Sequence, residues 1–178
     1  MSNTDPSQPM ATDLADLLRS AMRRLPGPVS IVSTHDLEAG EAAGMVASAV
    51  GPVSMQPASM LVAVNQQARC HAAIEGQGRF CINLLGTDQT GLVRPFSDPS
   101  QREQRFTMAQ WDYADTIPFL PSAMANIFCR VENTLVHGTH ELFIGDVYDV
   151  RVKDSDTGGE SDPLGWMEGG FARFGALD

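Results

Sequence analysis

Lysine is almost missing from this chain. Of its 12 basic residues, Lys153 is the only lysine and the rest are arginine, set against 22 acidic residues for a net charge of −10. With no basic cluster, neither nucleic acid nor an anionic membrane surface is a natural partner. Long apolar runs are also missing: none approaches the roughly 20 residues that a membrane span needs. The N-terminus, MSNTDPSQPMATD, lacks the basic-then-apolar order of a signal peptide. Residues 1–12 read as a flexible tail, followed by a single domain over 13–178. Cysteine is scarce and odd in number: Cys70, Cys81 and Cys129 form no CxxC pair. They show no ligand spacing with the four histidines, which excludes a zinc site and points to buried free thiols in a reducing cytoplasm. The phosphate loops GxGxxG and GxxxxGK[ST], the metalloprotease HExxH and the esterase GxSxG are all missing. The carboxylates Glu38, Glu41, Asp154, Asp156, Glu160 and Asp162 fall in loops, where solvation is the default.

What is present is a core. Hydrophobic residues make up 43% of the chain, enough to fold and too many for disorder. Leu14, Leu17, Leu18, Ala21, Met22 and Leu25 recur at three and four, predicting a helix over 13–25 capped by Thr12 and stopped by Pro26-Gly27. Strand patterns then dominate: PVSIVST (28–34), AAGMVASAV (42–50), SMLVAVN (59–65) and RFCINLL (79–85). Two long strands, 125–138 and 139–153, meet near His137-Gly138, and a short closing pair spans 163–174 around Gly169-Gly170. Short helices fit 68–78, ended by Gly76 and Gly78, and 87–96; residues 97–121 form a long excursion. Trp111, Phe119 and Trp166 read as core. Many strands and few helices predict an antiparallel barrel.

One stretch asks for a ligand. GMVASAVGPVSMQP is too small-sided to fill a core and too apolar for a solvent loop. Ala47, Ala49 and Gly51 leave space for a flat ring against the backbone, and Ser48 and Asn65 offer neutral hydrogen bonds. Ala68 to Cys70 open a helix whose unpaired N–H groups suit phosphate, with Arg69 as a charged donor. The pattern suggests a phosphorylated aromatic cofactor. The bland alternative is tight sheet or subunit packing, with Arg69 a surface charge.

The ordered set AMRRLPGPVSIVST, AGMVASAVGPVSMQPASMLVAVNQQARCHAAI, GRFCINLL, RF then W over 105–111, PFLPSAMANIFCRV, GTHELFIGDV and PLGWMEGGFARF resembles the flavin reductase-like proteins over residues 18–175. GTHELFIGDV is similar to that family's GDHxLFxGxV. The resemblance implies a mainly β fold, a Greek-key, FMN-binding split β-barrel with a few peripheral helices. It implies a homodimer, FMN or FAD bound between subunits, NADH or NADPH as hydride donor, and a partner monooxygenase that takes the reduced flavin. It places Met45, Val46, Ala47, Ser48 and Ala49 beside the flavin. Asn65, Ala68, Arg69 and Cys70 fall near the phosphate, His140 near the nicotinamide and Phe171 near the active site. The chain departs from the family where Val46, Ala68 and Cys70 replace hydroxyl residues and SMQPA replaces SLDPP. From strand alternation His140 is expected to point inward with Leu142, and His71 to play a structural or capping part. Hydride transfer needs no protein acid or base. An electron carrier that holds flavin, or a barrel that has lost flavin reductase activity, are the rival readings.

Overall fold

The computed structural model describes residues 11–153 and 161–175. Of the tail expected over 1–12, residues 1–10 lie outside the described residues, as do the carboxylates Asp154, Asp156 and Glu160, while Ala11 and Thr12 already belong to a helix. The chain runs α1 (Ala11–Met22), β1 (Gly27–Pro28), β2 (Ser30–Asp36), β3 (Glu41–Ala47), β4 (Val50–Met55), β5 (Ala58–Asn65), α2 (Arg69–Gln77) and β6 (Arg79–Leu84). It continues through α3 (Thr90–Ser97), β7 (Asp112–Ala114), β8 (Ile117–Phe119), β9 (Ala125–His137), β10 (His140–Val152), β11 (Leu164–Met167) and β12 (Gly170–Arg173).

Seven strands form one antiparallel sheet in the order β3-β2-β6-β9-β10-β5-β4. Its two edge strands, β3 and β4, are consecutive in the chain and joined by only Ser48 and Ala49. The sheet must therefore roll until its edges meet. Beside the corner the Ala63 N–H of β5 donates to the Ala49 carbonyl at 3.0 Å, carrying the β4–β5 pairing up to the turn. This gives the expected mainly β barrel, with one correction: the strand expected over 42–50 is two strands with a corner at 48–49. The reason is that small side chains neither clash nor pack at a sharp turn, so their apolar run does not mark continuity.

Inside the barrel Val32, Val62, Val64, Phe80, Ile82, Cys129 and Phe143 are buried together, and α2 plugs one end with Cys70 and Ile74. The plug ends at Gly78, whose φ of 67° no branched residue adopts easily and whose N–H bonds the Ile74 carbonyl at 2.8 Å. Gly145 on β10 is equally constrained by space. A Cβ there would sit 2.8 Å from the Cys129 Cβ and 3.0 Å from the Phe80 ring.

Outside the barrel, α3 and the excursion cover β2 and β6. Phe96, Phe106 and Trp111 stack mutually at 4.9–5.5 Å, and Phe119 lies buried with Phe128. The excursion is fastened by a buried polar hub. Asn83 donates to the Ile31 carbonyl at 2.8 Å and to the Ser33 hydroxyl at 2.9 Å. Its Oδ1 accepts from the Leu120 N–H at 2.8 Å and from Asn126 at 2.9 Å. Ser33 in turn donates to the Pro118 carbonyl at 2.6 Å.

Two expectations change. Helix α1 starts at Ala11 and ends at Met22, so Thr12 lies within it and does not cap it. Its apolar stripe is real but does not meet the barrel: Leu14, Leu17, Leu18, Met22 and nearby Leu25 are each more than half exposed. Trp166 lies not in the core but 42% exposed on β11. The three thiols are free and buried. Among the described residues no cluster of His, Cys, Asp or Glu is placed to hold a metal ion, and no helix is long and apolar enough to cross a membrane.

Replacing Asn83 by Ala strands the Leu120 N–H and leaves the Asn126 amide with only its 3.0 Å bond to the Leu120 carbonyl. It should lower stability by about 1–3 kcal/mol, read as a reduced urea midpoint at unchanged slope.

Candidate functional site

The site is built around the corner that closes the barrel. Ser48 and Ala49 are exposed there. On one side stands the small sheet β1-β11-β12. A Cβ added to Gly27 of β1 would lie 3.7 Å from the Ser48 Cβ. Gly27 pairs with Trp166, and Trp166 pairs with Phe171. Their rings meet edge-on at 5.4 Å, with Phe171 48% exposed. Two exposed aromatics thus flank two exposed small residues.

On the other side β5 runs into α2. The Asn65 Oδ1 accepts the Gln67 N–H at 2.9 Å, and the Asn65 carbonyl accepts the Ala68 N–H at 2.9 Å, which turns the chain into the helix. Ala68 has the extended N-cap backbone (φ −73°, ψ 133°) but offers no side-chain cap. The helix start is therefore short of acceptors, the condition that favours an anion.

Beside this helix start opens a cleft of about 920 Å³ between the β2–β3 hairpin, α2 and the segment 99–106. Arg69, Arg102 and Arg105 reach its lining, with His35, Glu41, Cys70 and Tyr113. Arg105 forms one wall by donating to the Pro95 and Gly44 carbonyls at 2.8 Å each. Charge at the mouth is arranged as a ladder. Arg69 donates twice to Asp36 Oδ2 at 3.1 Å and once to Glu41 Oε1 at 2.8 Å, and Arg102 donates to the same Glu41 oxygen at 2.6 Å. The Ala39 N–H and Arg69 hold the Asp36 carboxyl below its usual range. Burial pushes the Cys70 thiol up to about 12, so it stays protonated at neutral pH and takes no part in charge.

The expected site residues scatter less than their spacing suggests. Ala47 and Cys70 share the barrel cluster, with Met45 and Ala68 packed against it. Their side chains point into the core, so only backbone from these positions can face a ligand. Val46 packs on the opposite face of β3, against the α3 cluster. His140 pairs with Asn65 across β10 and β5. The inward orientation expected for His140 is wrong. Glu141, Phe143 and Gly145 face the interior, while His140 is exposed and within 2.9 Å of the Thr139 hydroxyl. Alternation fixes which residues share a face but not which face is inside, and the bulky Phe143 decides it. Arg69 is not an unengaged donor, because two carboxylates already hold it.

Sequence reasoning missed Glu41, read as a solvated loop acid, and Arg102. It also missed the partner of His71, whose Nε2 lies 2.6 Å from Glu141 Oε2 with its ring against Phe143. The Thr134 hydroxyl and His71 hold the Glu141 carboxyl below the ordinary value of 4.5. This pair pins the first turn of α2 to β10. No local signal marks any of these pairs, since the partners lie 28 to 70 residues apart.

Ala68→Ser supplies the missing cap oxygen at a position already in cap geometry. It should stabilise the protein by about 0.5–2 kcal/mol, seen as a higher thermal midpoint.

The same arrangement is met in known proteins. The family model described as flavin reductase like domain matches residues 22–175. The reductase component of the FADH(2)-dependent resorcinol hydroxylase of Rhizobium sp. (strain MTP-10005) is 34% identical over 77% of this chain and 77% of its own length. FMN reductase (NADH) RutF of Pseudomonas syringae pv. syringae (strain B728a) is 34% identical over 75% of this chain and 74% of its own. The solved structure of flavin reductase PheA2 in its native state superposes with a TM-score of 0.78 at 29% identity, covering 90% of this chain and 98% of that one. The likeness in sequence and fold runs over most of the chain, and the chain belongs to the flavin reductase-like family.

Proposed function

We propose that this protein is an NADH:flavin oxidoreductase that reduces FMN or FAD for a partner monooxygenase, working in the cytoplasm as a homodimer. One observation carries the reading: the exposed Ser48–Ala49 corner lies between two exposed aromatics and the uncapped start of α2. The relatives' names, an NADH-dependent FMN reductase and the reductase component of a hydroxylase, support the donor and the partner.

The donor set fits a flavin phosphate. Backbone N–H groups at Arg69 and Cys70 and the guanidiniums of Arg69 and Arg102 would hold the phosphate. Ser48 and Ala49 would accept the planar ring edge, because no side chain beyond Cβ or a hydroxyl stands in its way. Trp166 and Phe171 would shield that surface from water. Asn65 keeps its amide N–H groups for a ligand while its oxygen holds the turn. His140, on the outward face next to Asn65, would meet the nicotinamide. The flavin supplies the hydride acceptor and NADH the hydride, so the chain contributes orientation and hydrogen bonds with no proton-transfer dyad.

The exposed stripe of α1, Leu14, Leu17, Leu18, Met22 and Leu25, supports the dimer, since contiguous apolar surface of this kind seeks a partner. Leu17→Asp with Leu18→Asp should shift sedimentation from dimer to monomer. A wild-type monomer at working concentration would refute the dimer.

Steady NADH oxidation should require added FMN or FAD. Ala49→Leu, at an exposed position, should raise the flavin KM at least tenfold while the circular dichroism spectrum stays unchanged. NADH oxidation that ignores added flavin, in a protein yellow as purified, would favour the electron carrier instead.

A further inference from the structure

The charge ladder at the cleft mouth contains more than an anion site needs. Glu41 Oε1 accepts from Arg69 at 2.8 Å and from Arg102 at 2.6 Å. One carboxylate oxygen joining two guanidiniums from separate elements is the bonding pattern a phosphate oxygen makes. Asp36 already satisfies Arg69 through two further hydrogen bonds, so Glu41 is not required to neutralise it. The Glu41 side chain is 53% exposed and the Arg102 side chain 47%, so the bridge costs little to break and contributes little to folding. In the same cleft His35 has a buried Nδ1 without a hydrogen-bond partner.

We propose that Glu41 is an internal competitor for the flavin phosphate, a specificity residue that occupies the guanidiniums the phosphate would use. This rests on the reading that a flavin phosphate binds at the start of α2. With Asp36 and Glu41 facing Arg69 and Arg102, the mouth is formally neutral. A phosphate carrying about −1.5 to −2 charges enters only if the Glu41 carboxylate yields its bonds. Binding is an exchange of one anion for another, and release is the reverse. The Glu41 carboxylate stays tethered next to both guanidiniums, so its effective concentration there is high. It therefore weakens flavin holding and speeds departure of the reduced product, which suits a reductase whose flavin must travel to a second protein.

The test uses the full chain, with Glu41→Gln removing the charge while keeping size and an acceptor oxygen. Glu41→Asp restores the charge as a control. FMN and riboflavin, which lacks the phosphate, are titrated by flavin fluorescence. Glu41→Gln should tighten FMN about two- to fivefold, as expected for loss of one competing exposed ion pair. Riboflavin affinity should not move, and Glu41→Asp should lie near wild type. Unchanged or weakened FMN binding in Glu41→Gln overturns the proposal, as does an equal shift for both flavins. Wild-type protein that binds neither flavin overturns the phosphate reading itself, so the two failures are told apart.

Discussion

A two-residue corner makes the barrel. Because β3 and β4 sit at opposite edges of one sheet yet follow each other in the chain, Ser48 and Ala49 force the edges together. Everything else accommodates that closure. The interior it creates is filled by Phe80, Phe143 and the α2 plug. Ser48 and Ala49 are exposed, so packing of the core does not demand their small size. The corner thus joins fold and candidate site at one place: it closes the sheet and leaves little side chain above the backbone.

Around the corner the chain divides labour by charge. The barrel side is apolar and hydroxyl-poor, and the guanidiniums gather in the cleft beyond α2. Arginine, not lysine, carries this chemistry, as the composition already hinted. A planar fork can hold two carboxylates at once, as Arg69 does with Asp36 and Glu41, and a single ammonium does this less well. Ala68 and Cys70 bring no hydroxyl to the helix start, which is left to backbone N–H groups and these forks.

Much of this was legible in the sequence, and what was not has a common cause. The strands β2, β5, β6, β9 and β10 read correctly, as did the Gly78 stop of α2, because each is a local pattern written in a few residues. Small residues at 42–50 signalled a close approach, but not that the chain bends between Ala47 and Val50. The parity of β10 was misjudged because Leu142 and Phe143 both suit an interior and only packing selects one. The partners of Arg69 and His71 come from strands far away in sequence, and no window of neighbours contains them. Trp166 was misread because a half-exposed aromatic looks, in sequence, like one in a core.

The Asn83 hub has a consequence for how the molecule breathes. Its bonds reach β2, β6, β9 and the end of the excursion, so no one of these can peel away without leaving a buried polar group without a partner. The 118–124 stretch is thereby tied to the barrel wall, although it lies outside the barrel. The hub does not reach segment 97–110, where the Arg102–Glu41 and Asp98–Ser100 contacts are exposed, so the two parts of the excursion are fastened unequally.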